Sequence, residues 1–160
     1  MKHLFAVLFV IVLISCKKGS GTDNTGTTDP GHAVAVNKNG VLSVVDEDKI
    51  ASSWEANMNN GSRLTAFEVV KGKTEGDKEE EFYMLIARTD SGTAMVASLL
   101  ELKEDKFYFS TGKDTGSYVL VICKGECEGG CLPVAKNANG TTRLICSSCA
   151  DCEKNEIGVR

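Results

Sequence analysis

Six cysteines near the end of the chain follow the spacing C-x3-C-x3-C-x14-C-x2-C-x2-C: Cys123, Cys127, Cys131, Cys146, Cys149 and Cys152. Thiols so placed admit several chemistries. In an oxidising compartment an even set within a short segment pairs into disulfides, and six cysteines allow fifteen pairings among which spacing does not choose. The steps Cys146-x2-Cys149 and Cys149-x2-Cys152 also match local spacings of thiolate ligands for zinc, copper(I) or an iron–sulfur cluster. The metal pattern is incomplete, because no C-x3-C-P run follows Cys152 and the first trio is spaced by three. A third chemistry is a redox-active Cys146-Ser-Ser-Cys149. The thioredoxin-type motif belongs to a βαβ unit, whereas this pair lies close to the chain end. Gly125, Gly129, Gly130, Asn137, Asn139 and Gly140 dominate the intervening chain. Such a segment buries little and needs cross-links to hold a shape. Disulfides are the leading expectation; a metal held by Cys146, Cys149 and Cys152 is the alternative.

The compartment is set by the other end. Lys2 and His3 precede an unbroken apolar run over residues 4–14, followed by Ser15, Cys16 and two lysines. The run is shorter than the ~20 residues that cross a bilayer as a helix and suits the apolar region of a signal peptide. Leu13-Ile14-Ser15-Cys16 resembles the lipobox of bacterial exported lipoproteins. That resemblance implies cleavage after residue 15, acylation of Cys16 and anchoring in the envelope. With Lys17 rather than aspartate after the cysteine, it implies the outer membrane. Residues 17–32 (KKGSGTDNTGTTDPGH) contain nothing that could anchor a core. They read as a tether.

The formal charge of −4 becomes −5 when the leader takes Lys2 with it. A mildly acidic chain lacks the basic footprint of a nucleic-acid partner. Beyond the leader the only histidine is His32, and there is no phosphate-binding glycine loop, Gly-x-Ser-x-Gly or His-Glu-x-x-His. A cysteine nucleophile needs a base that this chain does not supply. No enzyme activity and no cofactor are expected.

The elements that must position the cysteines lie between residues 33 and 122. Asn37 and Gly40 suggest a turn before the apolar residues Val41, Leu42, Val44 and Val45. Asp46 as N-cap, Glu47 and Asp48 in the first turn and Gly61 as a left-handed stop frame one helix. Ile50, Ala51, Trp54 and Met58 form its inner face, with Ser52, Ser53, Glu55 and Asn57 outward. From residue 63 the period changes to two. Strands are expected over 63–71, 81–89, 93–102, 106–110 and 117–123, with turns at Asp90-Ser91-Gly92 and Glu104-Asp105. Glu75, Asp77, Glu79, Glu80 and Glu81 lie at one hairpin end. Their spacing does not match a calcium loop, and a solvated turn is expected.

The layout of leader, tether, helix, meander and C-x3-C-x3-C-x-P tail resembles uncharacterised cysteine-rich lipoproteins of Bacteroidota-type bacteria. One helix before a meander is also similar to the cystatin fold. Glu68-Val69-Val70-Lys71-Gly72 resembles the Gln-x-Val-x-Gly hairpin of those protease inhibitors, matching at Val70 and Gly72 only. The expectation is therefore an α+β protein, one helix on a four- to five-stranded antiparallel meander, with a cysteine-rich irregular C-terminal segment. Its divisions are a signal peptide (1–15), a lipidated N-terminus and tether (16–32), the α+β domain (33–122) and the cysteine-rich appendage (123–160). Functionally it reads as a lipid-anchored binding or structural module stabilised by disulfides. The membrane is one partner, and a protein or small molecule would be another. Metal binding and cystatin-like inhibition are the alternatives.

Overall fold

Alternating β-branched and aromatic residues cannot bury one face without a sheet, and in this chain the sheet is wide enough to curl. A computed structural model describes residue 29, residues 31–112 and residues 115–160. The leader, Cys16 and nearly all of the tether lie outside the described residues.

In chain order the elements are β1 (Ala35–Lys38), β2 (Val41–Val44), α1 (Glu47–Met58), β3 (Leu64–Lys73), β4 (Glu75–Gly76), β5 (Glu81–Thr89), β6 (Ala94–Lys103), β7 (Lys106–Phe109), β8 (Tyr118–Lys124), β9 (Pro133–Ala138), β10 (Thr141–Cys146) and β11 (Glu153–Val159). The five strands expected of the meander are β3, β5, β6, β7 and β8, each within a few residues of its expected bounds. The protein is α+β, and the cysteine-rich segment carries three disulfides. That segment also contributes regular structure: the hairpin β9–β10, and β11, which pairs antiparallel with β8 at the edge of the main sheet.

The main sheet forks at β6. One side of β6 pairs with β5, which pairs with β3. Along its other side, residues 94–97 pair with β8 and residues 100–103 with β7, so Ser98 and Leu99 stand at the fork. Beyond β7 come β1 and β2, and the sheet curls until β2 meets β3. The curl fits the strong twist that antiparallel sheets accumulate, sharpened at a β-bulge between Thr65 and Glu68 where Ala66 takes a φ of +53°.

Because side chains alternate across a strand, the sheet has two apolar faces. On the first, Leu85, Val96, Phe107, Phe109, Tyr118 and Leu120 close over α1. Trp54 is fully buried there, with ring centroids 5.7 Å from Phe67 and 5.9 Å from Phe109, and Phe109 stacks on Tyr118 at 4.0 Å. On the opposite face Met84, Ala97, Val121 and Cys123 meet Ala135 and Leu144 of a second sheet, ordered β10-β9-β4. The molecule thus has three layers: helix, main sheet and small sheet.

Several details of the expected layout change. Asp46 is left-handed at φ +54° and makes no side-chain cap, and the helix stops at left-handed Asn59, whose N–H donates to the Glu55 carbonyl, before Gly61 is reached. Ser53 is buried rather than outward, because the curled sheet covers more of α1 than a flat one would. Glu55 is half-buried and accepts the backbone N–H of Leu64 at 2.7 Å, tying the helix to the start of β3. The acidic turn is less solvated than its composition implies. Within it β4 pairs parallel with β9, Thr74 is buried, and Asn137 donates to Glu80 at 3.0 Å.

Candidate functional site

The six clustered cysteines pair in order, first with fourth, second with fifth, third with sixth: Cys123–Cys146, Cys127–Cys149 and Cys131–Cys152. Their Cα separations are 5.5, 6.3 and 5.4 Å, inside the usual range for bridged cysteines. The local folding that permits this is a tight hairpin. Asn139 and Gly140 both have positive φ, +53° and +71°, the requirement of a two-residue turn between antiparallel strands. The turn folds the last cysteine trio back beside the first. Gly125 then lets the end of β8 approach the following turn, because a Cβ there would strike the carbonyl oxygen of Asp151.

This geometry corrects two readings of the spacing. Cys146 and Cys149 are not bonded to each other, so Cys146-Ser-Ser-Cys149 is not a redox pair; each crosses to the earlier trio. Nor do Cys146, Cys149 and Cys152 gather as one ligand set. The sulfur of Cys146 groups with those of Cys123 and Cys131, and the sulfurs of Cys149 and Cys152 group with that of Cys127, all within 4.8 Å inside each set. All six sulfurs are engaged in bridges. The cystatin-like stretch is corrected as well. Residues 68–72 lie within the β3–β5 ladder, with Val70 opposite Met84 and Gly72 opposite Phe82, whose ring lies where a Cβ on Gly72 would be. A segment inside a ladder cannot wedge into a protease cleft.

What the bridges build is a groove. The inner bridge, between buried Cys123 and Cys146, fastens the small sheet to the outer face of β8, and an open cleft of about 640 Å3 remains between β10 and the outer faces of β8 and β11. Its floor is Leu99, Val119 and Val121. Val119 is 46% exposed, an apolar side chain left open on a strand whose neighbours Val121 and Cys123 are covered. The walls carry hydroxyls from Ser110, Thr111, Ser117, Thr141 and Thr142. Three charged groups among the described residues complete it. Lys154 and Glu156 pair at 2.6 Å, while Arg143 has no ion-pair partner among the described residues.

None of the groove residues was singled out by residue type or spacing. The available signal was the run Tyr118-Val119-Leu120-Val121-Ile122, apolar at every position, which marks a strand covered on both faces. That run announced a second layer, and the uncovered part of the second face is the groove. Of the other expected site residues, Cys16 lies outside the described residues. No protein-family model, curated protein or solved structure matches this chain.

Proposed function

We propose that this protein is a lipid-anchored, non-catalytic binding module of a bacterial cell envelope, tethered to the outer membrane through acylated Cys16, with the groove beside β10 as its binding surface. One observation carries the reading: three disulfides hold a small sheet over the main one and leave an open concave surface between them. Concave, partly apolar surfaces with a few convergent polar groups are where ligands bind. Disulfides persist in compartments beyond the inner membrane, which agrees with the leader and Cys16. Among the described residues the groove offers hydroxyls, one cation without an ion-pair partner and a neutralised Lys154–Glu156 pair, which suits recognition better than proton transfer. No helix among the described residues is long and apolar enough to cross a membrane; the acyl chains at Cys16 would supply the anchor, at roughly 0.8 kcal/mol per buried CH2.

Intact mass of the protein isolated from the envelope, before and after alkylation, tests the anchor and the bridges together. The expected species begins at Cys16, carries acyl chains, lacks the six hydrogens of three bridges and takes up no alkylating agent until reduced. A soluble, unacylated chain overturns the anchor, and six alkylatable thiols with bound metal transfer the reading to the metal alternative. Binding is tested with a photo-crosslinking residue at Val119, compared with one at Val41 on β2. Adducts are expected from Val119 alone; equal adducts, or none, overturn the groove.

A further inference from the structure

We infer that the groove takes an extended segment of a partner protein, which adds as a strand to the free edge of β10 and sets an acidic side chain against Arg143. The inference rests on the binding-module reading and names its ligand class. Among the described residues β10 is paired on one side only, because the small sheet runs β10-β9-β4. Its register is set by the two-residue turn, so Thr141 and Ala138 form the hydrogen-bonded closing pair. Alternation then commits the backbone groups of Thr141, Arg143 and Ile145 to β9 and turns those of Thr142 and Leu144 away from it. The side they face is the groove: all five residues from 141 to 145 line it, and no residue of β9 does. The cleft therefore has backbone donors and acceptors along one wall and apolar side chains along its floor. Those are the two halves of strand addition, in which main-chain hydrogen bonds supply affinity and alternate side-chain contacts supply specificity.

Apart from the charge of Arg143, the position also lacks the usual protection. Natural edge strands are blunted by proline, bulges or inward charges because an open edge templates pairing with another chain. β10 has the sequence TTRLIC and an unbroken ladder to β9. Charge fixes the chemistry of the partner. Lys154 is neutralised by Glu156, so among the described residues Arg143 leaves the groove one positive charge on a chain whose net charge is −4. An aspartate or glutamate in the incoming strand would complete the pair.

The test selects a displayed library of random linear peptides against the oxidised protein, then scans a synthetic copy of the best binder with backbone N-methylation. Enriched peptides are expected to alternate apolar and polar positions and to carry an acidic residue. N-methyl groups at every second residue should weaken binding about tenfold, each blocking one hydrogen bond and stranding its partner, and the intervening positions should tolerate them. Arg143→Ala should weaken the acidic peptide about tenfold and leave its amide analogue unchanged. No enriched peptide, or uniform tolerance of N-methylation, overturns the inference. So does a concentration-dependent dimer that occludes the groove, or preferential binding of oligosaccharides to the hydroxyl-lined walls. Adducts at Val119 combined with any of these results would retain the binding module while removing its strand-adding ligand; no adducts at Val119 would remove both.

Discussion

Cys123 and Cys146 join the two sheets: the first lies within the main sheet, flanked by Met95 and Lys154, the second ends β10 on the overlying hairpin, and their Cα atoms are 5.5 Å apart. Cys123 is fully buried among Val121, Cys131, Ala135 and Leu144. The bridge is thus both a cross-link and part of the second apolar core.

Removing that bridge should cost more than removing Cys127–Cys149. Each closes a loop of similar length, with sequence separations of 23 and 22 residues, and loops of this size contribute about 3 kcal/mol by restricting the unfolded chain. Cys123→Ala with Cys146→Ala also leaves a void where sulfur was packed. Urea denaturation should show the double variant at least 1 kcal/mol less stable than Cys127→Ala with Cys149→Ala, by the usual cost of small core deletions. Equal losses would mean that the inner bridge adds nothing to packing.

Trp54 is the only tryptophan, it is fully buried, and its indole Nε1 has no hydrogen-bond partner among the described residues. Trp54→Ala should cost about 3–5 kcal/mol through cavity formation. Trp54→Phe should cost less than its lost volume suggests, because it also removes an unsatisfied buried donor. Denaturation midpoints of the two variants check the order, and a blue-shifted tryptophan emission that moves red on unfolding checks the burial.

Gly76 has a φ of +104°, and a Cβ on it would strike the carbonyl oxygen of Asn137. Gly76→Ala should therefore detach β4 from β9, with a loss of about 1–2 kcal/mol, more than the gain a glycine replacement brings at a compatible site. Amide exchange should rise at β4 and β9 and stay unchanged at β8. Gly92→Ala is the control, since it shares positive φ but meets nothing within 4 Å.

The ion pairs at the acidic turn predict a pH dependence with a definite sign. Hydrogen bonding and charge from Lys78, with help from Asn137, hold the Glu80 carboxyl below its ordinary value of 4.5, and Lys71 does the same for Glu81. A lowered folded-state pKa contributes stability that is full above about 4.5 and is lost as pH falls through the folded value. All four side chains are exposed, so the effect should be small and reduced by salt. Their lysine partners are raised above 10.5; the same pairs therefore weaken again at alkaline pH, as the lysines deprotonate. Stability of Glu80→Gln relative to the parent should converge with it below that window and separate from it at neutral pH. A constant difference across the window would count against the pairing.

Much of this architecture was legible because local rules agreed with the tertiary outcome. Period-two alternation in residues 81–89 and 93–102 and the turns Asp90-Ser91-Gly92 and Glu104-Asp105 are short-range features, and β5, β6 and β7 followed them. The helix was equally local apart from its ends, where Asn59 supplied the left-handed stop ahead of Gly61. The parts not read depend on separations of many residues. β11 pairs with β8 across the cysteine segment, and β4, two residues in an acidic turn, pairs with β9 about sixty positions away. Neither strand has a strong local preference. They form because an edge and a face were already waiting for them.

By itself, the sequence determined the α+β class, the strands of the meander, the inner face of the helix around Trp54 and the dependence of the last segment on cross-links, since each follows from composition or from a period of a few residues. Only the tertiary structure decided which cysteine meets which, and with that the groove. Thiol spacing along the chain carries no distance information until the Asn139–Gly140 turn and the β8–β11 pairing bring the two trios face to face. Val119, Thr142 and Arg143 become neighbours for the same reason: packing of one sheet on another, not proximity in sequence, places an apolar floor, a strand edge and the Arg143 cation around one cleft.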